Sequence, residues 1–134
     1  MIGRRCAAGL LAVALAVGSC SDRRSDEPVS TVGVVAVEFQ FRPLTWTVAA
    51  GERITVELVN RGTVGHDWTV VRSGREVRSS GSFTDGDVLG GTGPVAPGET
   101  RSMTFAVADR GTYQVICTVP GHFDAGMRAQ LRVI

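Results

Sequence analysis

Residues 117–127 read CTVPGHFDAGM and place three metal-binding side chains within one short stretch of the chain. Cys117, His122 and Met127 are spaced by four intervening residues each, and they offer a thiolate, an imidazole and a thioether. The only other histidine, His66, lies far upstream in the segment NRGTVGHD, residues 60–67. A site that uses all four side chains therefore requires a fold that brings two distant segments together.

These four side chains form a recognisable donor set. Two imidazoles, one thiolate and one weak axial thioether are the ligands of a mononuclear blue-copper electron-transfer site. The soft sulfur donors suit Cu(I), and imidazole accepts either oxidation state of copper. The pattern predicts one copper ion, Cu(I) or Cu(II), bound by His66, Cys117, His122 and Met127.

The charge of the chain is nearly balanced. Its 134 residues contain 14 arginines, no lysine and 13 acidic residues. This length suffices for one domain with a modest core. A nucleic-acid-binding domain would show a basic patch or stripe, so the composition argues against a nucleic-acid partner.

The N-terminus is typical of an export signal. Two arginines precede a short apolar run, which ends in VGSC at residues 17–20 and is too short for a good membrane span. This ending resembles the lipobox of bacterial lipoproteins, which predicts a signal peptide at 1–19 and lipid attachment to Cys20. An ordinary cleaved signal is the alternative. Residues 20–31 are polar and charged, as expected for a lipidated, disordered tether.

The cysteine count also favours a metal site. Cys6 would be removed with the signal and Cys20 would carry the lipid, which leaves Cys117 without a disulfide partner. A lone thiol in an oxidising compartment is a liability unless it is buried or ligated.

The pattern from residue 32 onward predicts short β-strands. Residues 32–41 read as one strand with an alternating apolar face, and no convincing helical period follows. Residues 72–97 are rich in Gly, Ser and Asp, which predicts a long loop or an irregular edge. The expected fold is all-β, an antiparallel sandwich or barrel. The alternating apolar positions are Val35, Val37, Phe39 and Phe41, then Leu44, Trp46 and Val48, then Ile54, Val56 and Leu58, then Met103, Phe105 and Val107, then Tyr113, Val115 and Cys117, and finally Ala129, Leu131 and Val133.

The chain resembles the cupredoxins, the small blue copper proteins that include azurins, plastocyanins and auracyanins. The resemblance covers residues 32–134 and is strongest in residues 60–67 and 111–122. It implies a Greek-key β-sandwich that holds copper at one end. His66, Cys117 and His122 would form the trigonal plane, and Met127 would be the long axial ligand.

The resemblance also implies roles for the neighbours of the ligands. The N–H groups of Asp67 and Val119 would donate to the sulfur of Cys117, and the carbonyl of Gly65 would approach copper weakly. Many relatives have Asn after the first histidine, whereas this chain has Asp67. Its carboxylate can accept a hydrogen bond from the hydroxyl of Thr118, and its charge would lower the reduction potential.

Aromatic residues have simpler predicted roles. Trp46 and Trp68 are expected to fill the core, and Tyr113 to pack and form a hydrogen bond near a corner. Phe123 is expected either at an apolar rim around the copper end or as a buried anchor of the loop.

The predicted function is that of a one-electron carrier rather than an enzyme, docking transiently with a redox donor and a redox acceptor. No small-molecule substrate is expected. The lipid would anchor it to the outer face of the bacterial cell membrane; a soluble periplasmic or secreted protein is the alternative. The second functional hypothesis is an exported copper-handling protein, either a carrier or a chaperone.

Overall fold

Nine short strands provide the regular structure of residues 30–134, the part of the chain that this computed structural model describes. The predicted signal peptide, Cys20 and nearly all of the predicted tether lie outside the described residues. The strands are β1 (Ser30–Val37), β2 (Gln40–Arg42), β3 (Thr45–Val48), β4 (Arg53–Asn60), β5 (Thr69–Val71), β6 (Val88–Gly91), β7 (Thr100–Ala106), β8 (Gly111–Ile116) and β9 (Arg128–Val133). The first strand thus begins two residues before the predicted domain boundary at residue 32.

The strands form two sheets, which confirms the predicted all-β Greek-key sandwich. One sheet has the order β2-β1-β4-β7, and the other has the order β3-β9-β8-β5-β6. Most neighbouring strands pair antiparallel, as expected, but β1 pairs with β4 and β3 pairs with β9 in parallel. The chain visits the opposite sheet between the members of each parallel pair, and parallel strands require such crossovers.

The core lies between the two sheets and follows the period-2 pattern of the strands. Ile54, Val56 and Leu58 of β4 are buried, and their sequence neighbours in the strand are more exposed. The two tryptophans meet in this core, as predicted: the rings of Trp46 and Trp68 form an edge-to-face pair with centroids 5.6 Å apart. Such pairs contribute about 0.5–1.5 kcal/mol beyond the burial of their surface.

The hydroxyl of Tyr113 supports a corner of the sandwich. It donates a hydrogen bond of 2.7 Å to the backbone carbonyl of Asp109, just before β8 begins. The ring itself is buried in the core, which confirms the expected packing role.

Residues 32–41 differ from the predicted single strand. The chain turns at Glu38 and Phe39, so that β1 and β2 form an antiparallel hairpin. Phe39 has a positive φ of 44°, a conformation that side-chain-bearing residues rarely adopt, and its side chain is exposed. In β1 the even-numbered residues face the core, with Val34 and Ala36 buried, whereas the predicted Val35 and Val37 are only half-buried.

Residues 72–97 form the irregular edge that the composition predicted. Two short 3-10 turns (Ser80–Ser82 and Asp85–Asp87) precede β6, the outermost strand of its sheet. Asp87 holds this segment through an ion pair of 2.8 Å with Arg75. No helix among residues 30–134 has the length and apolar character needed to cross a membrane.

Candidate metal centre

Three metal-ligating side chains converge at one end of the sandwich. The ligand atoms of His66, Cys117 and His122 all lie within 4.8 Å of one another, and all three residues are buried. The sulfur of Cys117 is 3.5 Å from Nδ1 of His122, and the two imidazole ring centroids are 4.9 Å apart. The fold therefore joins the two distant segments, residues 60–67 and 117–127, as the sequence required.

A buried amide holds the segment that carries His66. Asn60, at the end of β4, donates hydrogen bonds of 2.8 Å to the carbonyls of both Val64 and Val95. Its own side-chain oxygen accepts the N–H of Gly62 at 2.9 Å. His66 and Val95 are further joined by two backbone hydrogen bonds. Sequence reasoning placed Asn60 in the segment of strongest resemblance but did not predict this clamp, although an amide residue at the end of an apolar strand is a signal for one.

Backbone hydrogen bonds link the three candidate donors of the second segment, residues 117–127. The N–H of Cys117 donates to the carbonyl of Met127 at 3.2 Å, and the N–H of Met127 donates to the carbonyl of His122 at 3.0 Å. His122 in turn donates to the carbonyl of Val119. Gly121 has a φ of 81°, which glycine adopts without strain. Met127 is fully buried next to this loop closure.

Burial favours the neutral forms of the Cys117 thiol and the His66 imidazole. Burial raises the pKa of the Cys117 thiol to about 12, while backbone hydrogen bonds from Asp67 and Val119 act in the opposite direction. Burial also lowers the pKa of His66, and the neighbouring His122 contributes to this decrease. A thiolate ligand must be deprotonated, so a cation bound here would displace the thiol proton.

The imidazole of His66 fits a metal ligand on independent grounds. Both of its ring nitrogens are buried and have no hydrogen-bond partner within residues 30–134. Buried polar groups are normally paired, and each unpaired one costs about 1–3 kcal/mol. A metal bound to one nitrogen would satisfy that nitrogen. The neighbouring thiol and imidazole are soft and borderline donors, which also suit a metal such as copper.

Asp67 joins the two ligand segments. Its buried carboxylate accepts the N–H of Thr118 at 2.6 Å and also accepts the hydroxyl of Thr118. The predicted hydroxyl contact is thus present. Backbone hydrogen bonds from Asp67 and Val119 each lower the pKa of Cys117, as the predicted donation to its sulfur would. The described contacts include none from the carbonyl of Gly65, so its approach to a metal stays a prediction.

Phe123 is the buried anchor rather than part of an apolar rim. Its side chain is only 3% exposed and packs in a small second cluster with Val71, Val77 and Ile116. The residue at the rim is Phe39, whose ring meets the ring of His122 edge-on with centroids 5.1 Å apart. Sequence reasoning missed Phe39 because it treated residues 32–41 as one strand.

Glu38 lies beside Phe39 in the same turn and also reaches the site. Its carboxylate oxygen Oε1 is 3.7 Å from Nε2 of His66. Hydrogen bonds from the backbone of Thr63 hold the pKa of Glu38 at about 2.

The geometry agrees with a family match. Residues 29–134 match the copper-binding proteins of the plastocyanin/azurin family. The chain belongs to this family. The cupredoxin resemblance seen in the sequence is thereby confirmed, and so is copper as the predicted cofactor.

The sequence of this cupredoxin is similar to those of two auracyanins and one copper-resistant cuproprotein. Auracyanin-B of Chloroflexus aurantiacus is 30% identical over 127 residues, covering 81% of this chain and 54% of the relative. Auracyanin-A of the same organism is 31% identical over 107 residues, covering 69% and 66%. The copper-resistant cuproprotein CopI of Rubrivivax gelatinosus is 29% identical over 104 residues, covering 72% and 62%. The chain thus spans between about half and two thirds of the length of these relatives.

Solved structures show the same fold. A structure of auracyanin B has a TM-score of 0.71 and 30% identity, and the match covers 80% of this chain and 90% of that one. Auracyanin A of Chloroflexus aurantiacus has a TM-score of 0.68 and 26% identity, with coverage of 78% and 98%. Dithionite-reduced auracyanin of Roseiflexus castenholzii has a TM-score of 0.70, with coverage of 78% and 97%; at 24% identity it shows the fold alone.

The charge of Asp67 provides a test of how the cupredoxin tunes its copper. In Asp67→Asn, the amide can still accept the N–H of Thr118 and can donate to its hydroxyl, so we expect the fold to be kept. Loss of the buried negative charge favours Cu(I), and we expect the reduction potential to rise. The effect is on the order of 1–2 kcal/mol at the effective dielectric constant of a protein. Voltammetry of the copper-loaded variant measures it.

The matched control is Asp109→Asn, which removes the same charge from an exposed position before β8. Equal potentials in the two variants would show that the carboxylate of Asp67 does not tune the site.

Proposed function

We propose that this protein is a one-electron carrier that binds a single type 1 copper ion through His66, Cys117, His122 and Met127. The observation that carries the proposal is the buried cluster of one thiol and two imidazoles, supplied by two segments that the fold clamps together. Copper would supply the redox chemistry by alternating between Cu(I) and Cu(II). The protein would accept one electron from a reduced redox protein and donate it to an oxidised one.

The surroundings of the donors favour a rigid site. Asn60 fixes the segment of His66, and Asp67 fixes that segment to Thr118. The backbone bonds among Cys117, His122 and Met127 restrain the other donors. Because the chain holds these residues in place, we expect little rearrangement between the two oxidation states. Small rearrangement favours fast electron exchange.

Met127 is the proposed axial ligand. Its backbone is hydrogen-bonded to both Cys117 and His122, and its side chain is completely buried. A thioether is uncharged and polarisable, so it can contact copper weakly without the cost of burying another charge.

The proposed route for electrons is the edge of His122. This residue is 8% exposed and is the proposed ligand closest to solvent. Phe39, which contacts its ring, is 43% exposed, and Val64, within the segment of residues 60–67, is 42% exposed. Apolar surface near the copper end suits weak, transient docking of redox proteins. No small molecule is transformed in this role, so we propose no enzymatic activity.

Copper handling is the second candidate function. One observation favours it, namely the 29% identity to a cuproprotein whose name denotes copper resistance. A protein that delivers copper would benefit from exposed, exchangeable ligands. Here the three clustered donors are buried and restrained, which favours electron transfer.

The colour and electrochemistry of the copper-loaded protein test the proposal. We expect intense visible absorption from the copper–thiolate bond, a reversible one-electron potential, and slow loss of copper to a chelator. The variant Cys117→Ala is expected to stay folded and lose the absorption entirely. Absorption spectra, voltammetry and chelator competition measure these properties. Rapid copper loss without a reversible potential would instead support copper handling, and a coloured Cys117→Ala protein would contradict the ligand assignment.

A substitution at Met127 tests the axial assignment. We expect Met127→Gln to retain copper but to lower the reduction potential, because an amide oxygen is a harder ligand and favours Cu(II). Voltammetry measures the change. Met103→Gln is the matched control, since Met103 lies on β7, in the sheet opposite β8 and β9, the strands that flank the donor loop. A potential that moves equally in both variants, or in neither, would argue against axial ligation.

In this proposal the N-terminal segment exports the carrier and anchors it to the outer face of the bacterial cell membrane through a lipid on Cys20. We expect Cys20→Ser to release the protein from the membrane fraction and to abolish labelling by a fatty acid. Cys6→Ser, which changes a residue within the predicted signal, is the matched control and should leave both unchanged. A Cys20→Ser protein that stays membrane-bound and labelled would refute the anchor and favour another attachment.

A further inference from the structure

The carboxylate of Glu38 is held beside the outer nitrogen of His66. Its Oε1 accepts the N–H and the hydroxyl of Thr63 and the N–H of Val64. These bonds tie the turn between β1 and β2 to the segment that leads into His66. The carboxylate is thus fixed by residues that are not metal donors, and its position does not depend on a bound ion.

Glu38 and His66 approach each other closely, and the glycine at position 62 leaves the room for this approach. Oε1 of Glu38 is 3.7 Å from Nε2 of His66, slightly beyond a hydrogen bond. A Cβ placed on Gly62 would lie 2.5 Å from this Oε1 and 2.8 Å from this Nε2. Only a residue without a side chain therefore lets the carboxylate and the imidazole approach each other here.

Each ring nitrogen of His66, Nδ1 and Nε2, is buried without a hydrogen-bond partner among the described residues. Nε2 is the nitrogen that faces Glu38, which leaves Nδ1 available for the metal. A metal-ligating histidine almost always donates its other N–H to a carboxylate, a backbone carbonyl or water.

We propose that Glu38 is a positioning residue that accepts the Nε2–H of His66, fixes the tautomer in which Nδ1 is free to bind copper, and thereby lowers the reduction potential. The inference rests on the proposed copper ligation by His66. In the proposed contact the imidazole turns slightly toward the fixed carboxylate, which shortens the separation of 3.7 Å to a hydrogen bond. A carboxylate acceptor increases the basicity of the imidazole, and a more basic ligand favours Cu(II) over Cu(I).

Two substitutions separate the charge of Glu38 from its hydrogen bond. Glu38→Gln keeps a side-chain oxygen of the same length, so it retains the bonds to Thr63 and Val64 and folds normally. Glu38→Ala removes the acceptor. We expect the potential to rise in both variants, and Cu(II) affinity to fall about 10- to 100-fold in Glu38→Ala. Glu57→Gln, an exposed position on the outer face of β4, is the matched control and should change neither quantity.

A measurement on the metal-free protein makes the test independent of copper. Nitrogen-15 chemical shifts of His66 should report the Nε2–H tautomer in the wild type and a mixture of tautomers in Glu38→Ala. Wild-type potential and affinity in both variants, together with an unchanged tautomer, would overturn the role of Glu38. A wild-type protein that shows no blue absorption would instead count against the proposed function, and the tautomer of His66 would still test the contact with Glu38.

Discussion

The metal-binding end of the sandwich depends on burying a neutral imidazole that lacks hydrogen-bond partners beside a buried thiol. His66 has two buried nitrogens without partners, and the pKa of Cys117 is raised to about 12 by burial. Such an arrangement opposes folding by a few kcal/mol. It becomes favourable when a cation replaces the thiol proton and takes a nitrogen lone pair. The family match to copper-binding proteins agrees with this physical reading.

The scaffold around the cluster consists of contacts that do not themselves bind metal. Asn60 closes one segment, the backbone from Cys117 to Met127 closes the other, and Asp67 joins them. Each contact satisfies backbone groups at the ends of strands, where the ladders of hydrogen bonds stop. The same bonds that complete the fold therefore also fix the donors, so that stability and site geometry are coupled.

The turn between β1 and β2 is a feature that the sequence pattern did not predict. The apolar and β-branched residues from 32 to 41 satisfy the composition of a strand, and nothing in their order marks the reversal at Glu38 and Phe39. Phe39 adopts its positive φ within this hairpin, and its ring contacts His122. Phe123 illustrates the converse, since its place after a ligand suggested a rim whereas the irregular edge of residues 72–97 buries it.

The sequence by itself determined the strand-rich fold class and the four candidate donors. Period-2 burial is a local property of strands, and three of the four donors lie within eleven residues of one another. Tertiary structure decided how the surrounding groups approach those donors. The family resemblance anticipated the contact of Asp67 with Thr118, whereas nothing in the sequence pointed to Glu38. Glu38 reaches His66 across 28 positions, and Asp67 reaches Thr118 across 51, because strand pairing and loop packing place them together. Such long-range approaches depend on the summed packing of both sheets, which no local pattern of residues encodes.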